Sequence, residues 1–142
     1  MTKTYRAILI DPVDRHISEI ESDCSLDSIH KLIGAPGIDS FGLAIHADGG
    51  RDFGWVDDVG LSGGKPVHAF LLPTGKDPVA GRCLIIGANE RGETASARLP
   101  LILLRQDVTW LGLILPEVTW DHTDTGSRAI VTYSRVRVKT GD

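Results

Sequence analysis

Four side chains in two segments carry the chemistry that holds a hard cation or moves a proton: Asp57 and Asp58 in "WVDD", and His122 and Asp124 in "WDHTDTG". Paired carboxylates can bind a divalent ion or divide acid and base roles, and an imidazole beside a carboxylate adds a nitrogen ligand. A small metal-assisted hydrolase is the activity such a set would serve. Two features weigh against it. Adjacent strand residues point to opposite faces, so Asp57 and Asp58 share a substrate only across a bulge. The five histidines form no H-x-x-x-H or H-E-x-x-H pair that would supply further ligands. Turn and loop roles are therefore expected for both segments. No serine is assigned a nucleophile role, so no catalytic residue is named and no cofactor is called for.

A second set is basic. Between residues 125 and 141 stand Arg128, Arg135, Arg137 and Lys139 and no acid. Strand alternation puts Arg135, Arg137 and Lys139 on one face and Ile130, Val136 and Val138 on the other. Such a stripe either contacts an anion or guards a terminal strand against edge pairing. Lys65, in "GLSGGK", joins these four as a candidate binding residue. The glycines around it invite a phosphate-loop reading, but Val59 stands five residues before Gly64 where that motif needs glycine, and Pro66 follows Lys65. A hairpin loop is the better expectation.

The chain has 142 residues, the length of a single domain, and 42% hydrophobic content, enough to build a core without disulfide staples. Cys24 and Cys83 belong to no CxxC pair and are expected to be reduced thiols. No apolar run approaches the ~18–20 residues of a membrane span, the longest being "WLGLILP" at 110–116. "MTKTYRAILIDP" lacks a signal-peptide pattern, so a cytoplasmic location is expected. Nineteen acids against fifteen bases leave a net charge of −4, which disfavours nonspecific nucleic-acid binding because its affinity comes from phosphate neutralisation. Binding through the C-terminal basic strand is the one nucleic-acid reading kept.

These residues must be carried by local elements. Residues 4–11 and 15–21 read as strands joined by Asp11-Pro12-Val13-Asp14-Arg15, where proline presets a turn and the aspartates accept backbone N–H bonds. Arg15 is expected to pair with a nearby carboxylate. In "CSLDSIHKLIGAP", Ser25 is the N-cap, Leu26, Ile29, Leu32 and Ile33 form one stripe, and Gly34 and Pro36 end the helix, predicting a helix over about 25–33. Segments 41–47, 52–58, 66–73 and 80–88 alternate with Gly, Asp and Pro breaks and read as meandering antiparallel strands. Residues 100–106 are expected to be helical from Pro100, with a buried strand as the alternative. "VTW" occurs at 108–110 and 118–120, read as two strand pieces bent at Pro116 with Trp110 and Trp120 as packing anchors.

"YRAILIDPVDRHISEIE", "SLDSIHKLIGA", "WVDDVGL" and "VAGRCLIIGANERGE", in that order, resemble small phage- and plasmid-associated proteins of the domain-of-unknown-function family numbered 3846. The likeness spans residues 5 to about 112, with 116–142 as an added strand pair. It implies an accessory protein of mobile genetic elements or their hosts and supplies no catalytic residues. The expectation is an α+β domain with a mainly antiparallel, curved, barrel-like sheet and one firm short helix. Its expected role is a noncatalytic binding module for a host protein or a small anionic ligand, with homodimerisation left open.

Overall fold

The computed structural model describes residues 3–73 and 75–137. In chain order the elements are β1 (Tyr5–Asp11), β2 (His16–Ser22), α1 (Leu26–Ile33), β3 (Ile38–Ile45), β4 (Arg51–Asp57), β5 (Val67–Leu71), β6 (Val79–Ala80), β7 (Cys83–Ala88), β8 (Thr94–Ala95), α2 (Leu101–Asp107), β9 (Thr109–Thr123) and β10 (Gly126–Arg135). They form two antiparallel sheets. One has the order β2-β1-β7-β4-β3, with β8 also paired to β7; the other runs β10-β9-β5-β6. This is an α+β architecture, and one sheet curls into a half-barrel.

The centre of the first sheet follows from the composition of β7. Cys83, Leu84, Ile85 and Ile86 are apolar at successive positions, so the strand needs cover on both faces. Leu84 and Ile86, with Ala7 of β1, pack against Ile29 and Ile33 of α1. Cys83 and Ile85, with Ile8 and Ile10, pack against Phe70 of the second sheet, Leu72 just past β5, and Leu104 and Val108 at α2. Each fully buried Leu, Ile or Phe contributes about 1.5–3 kcal/mol. β2 divides its apolar residues between the two sides: Ile17 joins the layer of Phe70 and Ile20 the layer of α1.

Both helices form close to where expected, although α2 starts at Leu101 with Pro100 as its extended N-cap rather than its first helical residue. In α1 the Ser25 side chain accepts the Ser28 N–H at 3.2 Å, and Gly34 takes the left-handed conformation (φ 77°) and donates its N–H to His30 O at 2.8 Å. α2 buries Leu104 and leaves Ile102 and Leu103 exposed. Among the described residues no helix is long and apolar enough to cross a membrane.

Three expectations are corrected. The strands from 41 to 88 do not meander in sequence: β7 inserts between β1 and β4, and β5 leaves for the other sheet, because the doubly apolar β7 takes the centre. β9 does not bend into two pieces at Pro116 but runs for 15 residues through it. Pro116 lies two residues past Ile114, where the pairing with β5 ends, so its missing N–H breaks no ladder bond on that side. The two VTW tryptophans also differ. Trp110 packs edge-on against Phe70 with ring centroids 5.9 Å apart, whereas Trp120 is 62% exposed and anchors nothing.

Beyond Ile114 the ends of β9 and β10 pair only with each other, in a register from Ile114↔Arg135 to Thr123↔Gly126. They form a two-stranded arm about 30 Å long. Nearly every residue of β10 is exposed.

Candidate anion-binding cleft

Where the arm meets the body, an open cleft of about 730 Å³ is bounded by the β1–β2 turn, by β5 and β9, and by the chain leaving β10. Arg15, His68, Arg135 and Arg137 line it, and among the described residues no acid does. Three stretches separated by up to about 120 positions of sequence thus supply three guanidiniums and an imidazole to one concavity.

The turn presents Arg15 through its backbone. Asp11 pairs with His16, leaving Pro12 to Arg15 as the loop, and Asp11 Oδ1 accepts the Val13 N–H at 2.9 Å and the Asp14 N–H at 3.4 Å. The turn chemistry expected of Asp11 is thus realised. The expected Arg15 ion pair is not: Asp11 is held by Arg82 at 3.4 Å, and no ion pair among the described residues involves Arg15. Arg15 instead lies in the left-handed region (φ 51°), which costs a residue with a side chain roughly 1–2 kcal/mol.

Opposite it, β9 bulges. Ala69 pairs with Gly112 and Phe70 with Trp110, so Leu111 is the extra residue, and Gly112 adopts φ 70°. A Cβ at Gly112 would stand 3.6 Å from Arg15 Nη2, so the guanidinium lies directly over the bulge. His68 pairs with Leu113, and the Val136 N–H donates to Leu113 O at 2.9 Å, which fixes the chain of Arg135 and Arg137 at the opposite rim. Neither Arg135 nor Arg137 joins an ion pair among the described residues. Unpaired like charges around one concavity raise the local positive potential and attract anions. Arginine also presents planar donors that match carboxylate and phosphate oxygens.

The remaining candidates are dispersed. Arg128 stands on the other face of β10 from Arg135 and is paired with Asp121 at 3.7 Å. Lys65 is exposed in the loop before β5 and does not line the cleft, and Lys139 lies outside the described residues. Asp57 accepts the Val59 N–H at 3.0 Å and lines a separate, mainly apolar cavity of about 310 Å³. Asp58 turns away from that cavity, with its carboxylate against Gly37. His122 is at the tip of the arm, where Nδ1 and Ser127 Oγ are 2.6 Å apart, and Asp124 is in the turn beyond it. Among the described residues no three His, Cys, Asp or Glu side chains gather as a metal-ligand set, so the four residues of the hydrolase reading stay dispersed.

Two polar features escaped the sequence reading. Asp52 is fully buried in β4 and accepts from the Arg98 and Leu99 N–H groups at 3.0 and 2.8 Å, with His46 Nε2 at 3.2 Å. Its carboxylate is saturated by the segment it tethers, a structural role. Beside it, Arg98 binds Asp48 through two hydrogen bonds, the main reason the Asp48 carboxyl is held down to about 2. Cys83, wholly buried, has its thiol pushed up to about 12 by desolvation. Burial likewise raises Cys24, so neither thiol is an activated nucleophile.

No protein-family model, curated protein or solved structure matches the chain. The cleft is therefore read on its own chemistry.

Proposed function

We propose that the protein is a noncatalytic binding module whose cleft takes a small anionic ligand of the phosphate or carboxylate class. The observation that carries this reading is the meeting of Arg15, Arg135, Arg137 and His68 in a concavity whose lining among the described residues has no acid. The strained backbone of Arg15 supports it, since glycine would fold more easily there. An association with mobile genetic elements or their hosts rests on the sequence resemblance alone.

Titration calorimetry with inorganic pyrophosphate tests the reading. The wild type should bind at one site, with affinity falling as salt is raised. Arg15→Gly should lose at least about tenfold in affinity, equivalent to about 1.4 kcal/mol, while keeping or slightly raising the melting temperature. Arg135→Gln should weaken binding without changing stability. Arg128→Gln, on the other face of β10, should bind as the wild type does. Equal affinity in all four proteins would remove the cleft from the account.

A further inference from the structure

The free edge of β10 is a long, unprotected strand edge. It offers ten residues of backbone, it pairs among the described residues with β9 on one side only, and nearly all of it is exposed on both faces. Strand edges are ordinarily blunted by proline, by bulges or by inward-pointing charge. From Ala129 to Ser134 this strand has no proline, glycine or charged residue, and its pairing with β9 has no register shift. A two-stranded ribbon is also marginally stable by itself in water.

The pattern on the arm says what fits that edge. The observed register puts Trp120 beside Ala129, Val118 beside Val131 and Pro116 beside Tyr133, all on one face. The other face carries Asp121 beside Arg128 and Glu117 beside Thr132. A second copy related by a two-fold axis through Val131 would place residue 131 beside its own symmetry mate, 129 beside 133, and 128 beside 134. Three apolar rows then cross the four strands. They are Trp120, Ala129, the partner's Tyr133 and the partner's Pro116; four valines, 118 and 131 from each copy; and the first row reversed. Small Ala129 lies between two large aromatics, which can close over it from both sides. Both aromatics are exposed in the single chain, Trp120 at 62% and Tyr133 at 38%.

The charges agree with this register. Arg128 meets Ser134 of the second copy and Arg135 meets Ser127, so no two like charges are opposed. A shift of the axis by one residue to Ile130 would set Tyr133 against Ser127 and break the aromatic rows.

We propose that β10 pairs antiparallel with β10 of a second copy about Val131, joining the two arms into a four-stranded sheet. Nine residues of each copy, 127–135, take part. An interface of this extent lies at the small end of specific contacts, so the dimer should form at micromolar rather than nanomolar concentration.

Sedimentation velocity over about 1 to 500 µM brackets that range. The wild type should pass from monomer to dimer across it. Val131→Lys and Val131→Glu, each of which opposes like charges on the axis, should both sediment as monomers with unchanged melting temperatures. Mixed one to one, they should recover the dimer, which a folding defect would not allow. Val131→Cys should form a disulfide-linked dimer under mild oxidation, mapped by peptide mass spectrometry to residue 131, and Ser127→Cys should not. A wild type that stays monomeric throughout, a mixture that fails to dimerise, or equal cross-linking at 127 and 131 would overturn the proposal.

Discussion

β7 and β10 are both strands of apolar-rich sequence, yet one is sealed on two faces and the other lies open on both. β7 carries Cys83, Leu84, Ile85 and Ile86 in succession, so neither face tolerates water, and α1 and the second sheet close over it. β10 alternates, setting Ala129, Val131, Tyr133 and Arg135 on one face and Arg128, Ile130, Thr132 and Ser134 on the other. Alternation lets a strand survive with water on one side, and it leaves a patterned surface to be read by something else. The body therefore holds the fold, and the proposed recognition surfaces lie on the arm and at its base.

The sharpest way to break that comparison is to remove large side chains from each region. Phe70→Ala in the body, fully buried against Trp110, should cost about 3–5 kcal/mol in urea unfolding. Asp52→Ala should follow at about 3 kcal/mol, because the Arg98 and Leu99 N–H groups and His46 lose their buried acceptor. Should either variant unfold as the wild type does, the body is not the scaffold described.

A smaller effect is expected from alkaline pH. The Cys83 thiol ionises near 9 when unfolded and is held up to about 12 by burial in the native state. A folded value above the unfolded one gives stability that is complete below pH 9 and lost as pH rises toward 12. Melting temperatures recorded across that window should fall, and less steeply for Cys83→Ala. An equal fall in both proteins would mean that Cys83 does not carry the effect. Smallest of all, Trp120→Ala on the arm should change stability at low protein concentration by no more than about 0.5 kcal/mol. A loss comparable to that of Phe70→Ala would place the arm in the scaffold.

The contrast also explains what could be read from the sequence. α1 was legible because its caps are local: Ser25 and Gly34 act within one turn of the helix ends. The β1–β2 turn was legible for the same reason, since Asp11 bonds to residues two and three positions away. Position 120 was not legible. Tryptophan is mostly buried in folded chains, and nothing local shows that β9 outruns β5 and leaves its far end uncovered. Asp52 looked like any strand residue in "RDFGW" because its partners, Arg98 and Leu99, lie 46 and 47 positions away. The cleft was half legible: alternation singled out Arg135 and Arg137, but Arg15 was assigned a local carboxylate that in the fold belongs to Arg82. Only the tertiary fold brings position 15 to Gly112.

The most direct test of the division between scaffold and recognition surface is to map backbone amide shifts by heteronuclear NMR while inorganic pyrophosphate is added. The account predicts that shifts concentrate at Arg15, His68, Gly112, Leu113 and residues 135–137, with β7 and α1 unmoved. Shifts centred on the cavity beside Asp57 or on the arm tip at His122, or none at all, would contradict it.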